Sequence, residues 1–128
     1  MADTRQIHFT GKIVSRNQGH SAVEHAAYRS GEKLHLDREG ETFDYTRKKG
    51  VLYTEIMLAD HAPPEWKDRQ TLWNAVEDFE KKSDAQLARS LEFSLPFELS
   101  VEENIKLCQD VAKYYKKQGM CVDFCIHA

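Results

Sequence analysis

The sequence predicts an α+β domain in which a mixed or mainly antiparallel β-sheet carries helices on one face. Short runs of β-forming or alternating residues recur along the 128 residues, and two long segments with helical spacing lie between such runs. No linker, internal repeat or low-complexity stretch divides the chain. The hydrophobic share of 41% and the charged share of 30% are those of a globular chain with one core.

The first half predicts a strand, a helix, a hairpin and a second strand. Residues 7–14 are rich in β-formers and end at a polar loop. Ser21 is the predicted N-cap of a helix that runs to about Lys33, with Glu24 completing a capping box. Residues 35–46 predict a polar hairpin that turns at positions 38–40, and residues 51–58 predict the second strand.

The next segment predicts a helix opened by the pair Pro63 and Pro64, because proline fits the first turn of a helix. Its apolar residues follow helical spacing and are predicted to face a sheet. They are Trp66, Leu72, Trp73, Val76 and Phe79. Residues 87–95 alternate between apolar and polar side chains, which is typical of a half-buried strand.

The last segment predicts a helix followed by a strand. Ser100 and Glu103 have the spacing of a capping box, and the helix is expected to stop at Gly119. Residues 121–127 predict the final strand. Two helices between strands, with hairpin connections, give the α+β class rather than a parallel α/β sheet.

Composition excludes several classes of protein and favours an anionic partner. No apolar run reaches the roughly 20 residues of a membrane span, and the first residues lack a signal-peptide core. No membrane partner is therefore expected. The three cysteines form no CxxC pair, which favours a reducing, cytoplasmic location. The net charge is −3, yet residues 1–50 hold nine Lys and Arg against seven Asp and Glu. The N-terminal part is therefore the electropositive part, which suits phosphate binding.

Tyr28 has unusual neighbours for a packing residue. It lies between Ala27 and Arg29 in a segment of small and basic residues, and Lys33 follows five residues later. A phenol beside cations can attack a phosphodiester, because positive charge stabilises the phenolate and the phosphate. Tyr28 is therefore a candidate nucleophile. The alternative is a packing role, since most tyrosines on helices pack against a core.

Two further polar residues stand on strands. His127 ends the last predicted strand, with Asp123 on the same face at a spacing of four. Glu92 lies on the polar face of residues 87–95, where a carboxylate can act as a base or orient a histidine. For either residue alone, a plain surface role is the alternative. No phosphate-binding loop, nucleophile elbow or HExxH zinc motif is present.

Seven segments in the same order resemble the MobA/MobL family of plasmid relaxases, the mobilisation enzymes that nick one DNA strand at an origin of transfer. The first three are HFTGKI (8–13) with Ser15 and Arg16, SAVEHAAYRSGEK (21–33) and DYTRKKGV (44–51). The others are LWNAVE (72–77), AQLAR (85–89), LEFSLPFEL (91–99) and GMCVDFCIHA (119–128). The resemblance covers essentially the whole chain. It implies a relaxase fold related to HUH endonucleases, with an antiparallel sheet of about five strands and helices packed on it.

The resemblance also implies the reaction and its residues. Tyr28 corresponds to the nucleophile that becomes linked to the 5′ end of the nicked strand, and Glu92 to a base or supporting carboxylate. The partner is single-stranded DNA at an origin of transfer, together with accessory relaxosome proteins; no small-molecule cofactor is expected. Plausible phosphate contacts are Lys12, Arg16, Arg29 and Lys33, with Arg47, Lys48 and Lys49 more peripheral.

The family's metal site holds a divalent cation, Mg or Mn, on three histidines, of which the first corresponds to His127. The other two form a His-x-His pair that is expected just beyond position 128. Residues 1–128 are thus expected to be a single relaxase domain truncated before that pair, with the C-terminal strand missing and the metal site incomplete. Where the family often has an acidic residue, this chain has Ser90. The alternatives are a non-catalytic module that binds single-stranded DNA and a purely structural or interaction domain.

Overall fold

The computed structural model describes residues 9–15, 21–80, 86–96 and 98–128, with the backbone alone for residues 9–13. The predicted order of elements is confirmed. The strands are β1 (Phe9–Ser15), β2 (Lys33–Leu36), β3 (Glu41–Asp44), β4 (Val51–Met57), β5 (Gln86–Phe93) and β6 (Val122–His127). The α-helices are α1 (Ala22–Ser30), α2 (Arg69–Phe79) and α3 (Val101–Lys116), and short 3₁₀ helices span Asp37–Glu39 and Pro64–Lys67.

The described strands form three antiparallel pairs, which confirms the α+β class. β1 pairs with β5, β2 with β3, and β4 with β6. The β2–β3 pair is the predicted hairpin; its turn closes through Gly40, whose positive φ of 63° suits a residue without a side chain. The other two pairs join distant parts of the chain, so β6 brings the C-terminal residues beside β4.

Helix α1 begins as predicted and ends earlier than predicted. The Ser21 hydroxyl accepts a hydrogen bond from the Glu24 backbone N–H at 3.2 Å. The expected end at about Lys33 is wrong, because Gly31 adopts a left-handed conformation with φ 70° and caps the helix after Ser30. A Cβ at Gly31 would lie 3.3 Å from Val51 Cγ2, so the missing side chain also allows β4 to approach.

The segment that begins at Pro63 is two helices rather than one. Pro64 opens a 3₁₀ helix, and α2 starts anew at Arg69, where the Asp68 carboxylate accepts a bond from the Thr71 N–H at 3.0 Å. Leu72 is buried as predicted. The expectation that Phe79 packs in the core is wrong, because its side chain is 86% exposed. Helical spacing predicts which face of a helix is apolar, but it does not predict how far along the helix that face is covered by other elements.

Helices lie on both faces of the β4–β6 pair, which corrects the expectation of one covered face. Alternation along β6 separates its side chains into two sets. Asp123 bonds to Arg69 of α2, whereas the ring of Phe124 stacks near Tyr53 of β4. Next to Tyr53, Glu55 accepts a hydrogen bond from Gln109 of α3 at 2.9 Å. Helix α3 therefore covers the face opposite to α1 and α2, and its predicted capping box is present.

The buried core is concentrated around α1. Small residues on one side of this helix pack against the β2–β3 hairpin, and the cluster is Val23, Ala26, Ala27, Leu34 and Leu36. The N-terminal end of α1 is held by Glu77, which is 1% exposed and accepts a bond from the Ala22 N–H at 2.8 Å. Among the described residues, none of the helices combines the length and the apolar character that crossing a membrane requires.

Candidate active site

Tyr28 emerges from the side of α1 that does not face the core. Ala26 and Ala27 are buried, and the next residue along the helix is rotated by roughly 100°. Tyr28 is accordingly 54% exposed, near the end of α1 that Gly31 terminates. Because Ala26 and Ala27 are small, the helix packs closely against the hairpin. The backbone of Tyr28 is therefore held against the core while its ring reaches solvent.

The Tyr28 ring is held by two residues of the loop between β3 and β4. The ring of Tyr45 meets it edge to face, with 5.3 Å between centroids and an interplanar angle of 89°. The Lys48 ammonium lies 3.8 Å from the centroid of the Tyr28 ring, within the range of a cation–π contact. The same Lys48 Nζ donates a 2.7 Å hydrogen bond to the Tyr28 carbonyl oxygen.

The loop that carries these residues is shaped by Asp44. Its carboxylate accepts hydrogen bonds from the backbone N–H and the hydroxyl of Thr46, at 3.0 and 2.6 Å. These bonds, with smaller contributions from the charges of Lys33 and Arg47, lower the pKa of Asp44 below its usual value. At the far end of the loop, the Gly50 carbonyl accepts a 2.7 Å bond from the Ala128 N–H, next to His127.

His127 lies between α1 and this loop. Its Nε2 is 2.7 Å from the Arg29 carbonyl oxygen and 3.4 Å from Lys48 Nζ. A carbonyl only accepts and an ammonium only donates, so one ring nitrogen cannot bond to both. The shorter contact assigns a proton to Nε2, which donates to the Arg29 carbonyl oxygen.

The described residues do not complete a metal site around His127. Within residues 9–15, 21–80, 86–96 and 98–128, no three His, Cys, Asp or Glu side chains are grouped so that they could hold a metal ion. Asp123 shares the face of His127, as predicted from alternation, but its carboxylate is bound by Arg69 and Trp73. Among the described residues, His127 is thus without the further ligands that a metal site would need.

Arg29, the residue after Tyr28, forms an ion pair with Glu92. Arg29 Nη2 lies 3.3 Å from Glu92 Oε1, and the two side chains are 31% and 63% exposed. An ion pair this exposed contributes only about 0–1 kcal/mol to the free energy of unfolding. Its relevance to the site is therefore where it places the Glu92 carboxylate. It places the carboxylate of β5 against the residue that follows Tyr28.

The other sequence-predicted contacts lie around or outside this cluster. Lys33 and Arg47 are exposed and near Asp44, and Lys49 is exposed on the same loop as Lys48. Lys12 lies on β1 opposite Ser90 of β5, but its side chain, like the whole of Arg16, is outside the described part. The Ser90 hydroxyl is buried and has no hydrogen-bond partner in the described structure.

Sequence reasoning missed Tyr45 and the true partner of Glu24. The Tyr45 hydroxyl donates a 3.0 Å hydrogen bond to Glu24 Oε2, and this bond is the main reason that the pKa of Tyr45 is raised. Glu24 thus anchors the residue that packs on Tyr28. The spacing from Ser21 to Glu24 predicted the start of a helix but not the partner of the Glu24 side chain. Tyr45 was missed because no periodic pattern in the hairpin singles it out.

An ion network centred on the buried Arg69 connects α1 to β6. Arg69 is 8% exposed and binds both oxygens of Asp123, at 2.8 and 2.9 Å, and it also pairs with Glu32 just after α1. Burial by itself would lower the pKa of Arg69, but the bonds to Asp123 and the two acidic charges raise it above the usual value. The network ties the end of α1 to the strand of His127. An arginine at the start of a helix gave no sequence signal for it.

Comparison with known proteins identifies a group of relatives. The model of the MobA/MobL family matches residues 20–128. The conjugal transfer protein TraA of Rhizobium radiobacter is 46% identical over 132 residues, which cover 94% of this chain. The mobilization protein MobL of Acidithiobacillus ferridurans is 39% identical over 122 residues, again covering 94% of this chain.

The fold is also close to a solved structure from work on the molecular basis of vancomycin resistance transfer in Staphylococcus aureus. The two share a TM-score of 0.92 at 36% identity, over 97% of this chain and 63% of that chain. The relatives are longer proteins: the present chain spans 12% of the length of TraA and 32% of the length of MobL.

Proposed function

Because the chain belongs to the MobA/MobL family, we propose that it carries the nucleophile of a relaxase, an enzyme that nicks and transfers one DNA strand at a plasmid's origin of transfer. One observation carries this proposal. The exposed Tyr28 lies in a cluster with Lys48, Arg29 and His127, which come from three separate parts of the chain. A phenol next to cations, mounted on a rigid helix, is what attack on a phosphodiester requires.

The proposed step is a transesterification. The Tyr28 hydroxyl oxygen attacks the scissile phosphorus, its proton is released, and a new P–O bond to tyrosine forms. The bond between phosphorus and the 3′ oxygen breaks, and that oxygen takes up a proton to become a 3′ hydroxyl. No net oxidation occurs, and the phosphotyrosyl ester at the 5′ end retains the energy needed to rejoin a strand.

Positive side chains around Tyr28 are proposed to receive the DNA backbone. Arg29 and Lys48 are the cations of the cluster itself. The remaining candidates are Lys12, Arg16, Lys33, Arg47 and Lys49. Contacts of this kind give an affinity that decreases with salt and position the strand without reading its sequence. Accessory relaxosome proteins, which would supply further contacts, stay a prediction.

A divalent cation, Mg or Mn, also stays a prediction. Since the described residues offer one imidazole at His127, the ligands that would complete such a site are not among them. A metal bound there would add positive charge near the phosphate. The functions assigned above to Tyr28, Arg29 and Lys48 do not depend on it.

Covalent capture of DNA tests the proposal directly. The chain is mixed with a randomised single-stranded DNA library labelled at the 3′ end, with Mg²⁺, with Mn²⁺ or with EDTA. Because the 5′ end of the cleaved product is joined to tyrosine, the 3′ label should migrate with the protein on a denaturing gel. Peptide mass spectrometry should then locate the adduct on Tyr28. An adduct on another residue contradicts the proposal, and salt-sensitive binding with no adduct favours the non-catalytic binding module instead.

We propose that the Glu92 carboxylate holds the Arg29 guanidinium in place through their ion pair. A stronger form of this prediction is that the same carboxylate also acts as the base that accepts the Tyr28 proton. We expect Glu92→Gln to slow adduct formation by about tenfold, because a neutral amide binds a guanidinium less tightly than a carboxylate does. If the carboxylate also accepts the tyrosine proton, the loss is about 10²–10⁴-fold and the acid limb of the pH–rate profile disappears. Glu41→Gln, at an exposed strand position, is the matched control. An unchanged rate for Glu92→Gln contradicts both roles.

A further inference from the structure

Lys48 contacts Tyr28 at two separate points. Its ammonium lies 3.8 Å from the ring centroid and also donates a 2.7 Å bond to the carbonyl oxygen of the same residue. We propose that Lys48 is a positioning residue that fixes the orientation of the Tyr28 ring, in addition to its predicted part as a phosphate contact. This inference rests on the proposed function, in which Tyr28 is the nucleophile.

The two contacts together restrict the side chain more than either does alone. A bond to the backbone carbonyl fixes where the ammonium is relative to α1, and the ring must then present its face to that point. The edge-to-face contact with Tyr45 restricts the ring from a second direction. Both torsions of the tyrosine are thus limited while its ring remains 54% exposed.

Lys48 itself is held in place by its loop. Its backbone N–H donates a 3.0 Å bond to the Tyr45 carbonyl, so the two residues that touch the ring form one turn. That turn follows the Asp44–Thr46 hydrogen bonds. Lys48 is only partly exposed, whereas the next residue, Lys49, is exposed on the same loop. An ordinary surface lysine would lack this support.

The consequence for the reaction is geometric. Attack in line with the leaving oxygen requires the phenol oxygen at a defined point, and a small misplacement of reacting atoms costs a large factor in rate. An ammonium that bonds to a carbonyl and faces a ring has one of its three N–H donors left for a phosphate. Loss of Lys48 should therefore affect the rate of the chemical step more than the affinity for DNA.

Three variants separate positioning from simple charge. Lys48→Met removes the ammonium and keeps a long side chain, Lys48→Arg keeps the cation, and Lys49→Met removes an equal charge one residue away. For Lys48→Met we expect kcat of adduct formation to fall by about tenfold with little change in KM. Lys48→Arg should recover most of kcat, whereas Lys49→Met, which removes a proposed contact with the DNA backbone, should raise KM and leave kcat little changed. Equal effects of Lys48→Met and Lys49→Met, confined to KM, overturn the proposal.

A second measurement does not depend on activity. In the proton NMR spectrum of the intact chain, the ε-methylene of Lys48 should be shifted upfield by the Tyr28 ring current. The shift should vanish in Tyr28→Leu, and the ε-methylene of Lys49 should not show it. Its absence from the unmodified chain overturns the positioning role whatever the adduct assay gives. If the shift is present but no adduct forms at Tyr28, the proposed function is wrong. The contact between Lys48 and the Tyr28 ring would then exist without a role in catalysis.

Discussion

Tyr28→Phe is expected to abolish the covalent protein–DNA product, with a loss in rate of more than about 10³-fold. Phenylalanine keeps the ring, so the contacts with Tyr45 and Lys48 can remain, and only the attacking oxygen is removed. Because Tyr28 is exposed, the free energy of unfolding should change by less than about 0.5 kcal/mol. Binding of single-stranded DNA should also persist, which separates loss of chemistry from loss of substrate.

Tyr45→Phe is the matched control for this substitution. It removes a phenol oxygen from the neighbouring ring and breaks the 3.0 Å bond to Glu24, yet the edge-to-face contact with Tyr28 needs only the ring. We expect this variant to form the adduct. Undiminished adduct formation by Tyr28→Phe, measured with the 3′-labelled DNA on denaturing gels, contradicts the assignment of the nucleophile.

Arg69→Met should lower the free energy of unfolding by about 3–5 kcal/mol, a large share of the roughly 5–15 kcal/mol of a typical domain. The Asp123 side chain is 7% exposed and would lose both hydrogen bonds to the guanidinium, which leaves a buried carboxylate with the Trp73 N–H. Glu32 would lose its partner too. Urea denaturation followed by tryptophan fluorescence measures the change, and Trp73 reports from within the network.

The size of this effect depends on the charge that is left behind, not on the arginine alone. The double variant Arg69→Met with Asp123→Leu should regain part of the lost stability, because an apolar pair of similar volume can replace a buried ion pair. Arg47→Met, at an exposed loop position, should change the stability by less than about 0.5 kcal/mol. If Arg69→Met is no more destabilising than Arg47→Met, the network does not hold the frame of the site.

Local signals in the sequence were sufficient for the order of the elements and for the choice of Tyr28 as a candidate. The order of helices and strands follows from periodicity, and the hydroxyls of Ser21 and Ser100 cap the helices that they were expected to cap. The segment from Ala26 to Lys33 singled out the tyrosine, because small and basic neighbours are visible without a fold. These features depend on residues close together in the chain.

The remaining parts of the site depend on residues that only folding brings together. Lys48 was predicted only as a peripheral phosphate contact, and the loop also places it against the Tyr28 ring. The contact between His127 and the Arg29 carbonyl joins residues from opposite ends of the described chain. No spacing in one sequence encodes such contacts. The sequence also does not show how much of a helix's apolar face is covered in the fold, as the exposure of Phe79 illustrates.

The pairing of β4 with β6 also sets the time at which the site can form during protein synthesis. Val51 lies opposite His127, so this ladder must wait until nearly all of the described chain has left the ribosome. Contacts between such distant residues form slowly, whereas α1 and the β2–β3 hairpin can form early from local interactions. A nascent chain would then display Tyr28 on a folded helix before the strand of His127 arrives. Of the contacts described around Tyr28, those made by His127 would thus form last.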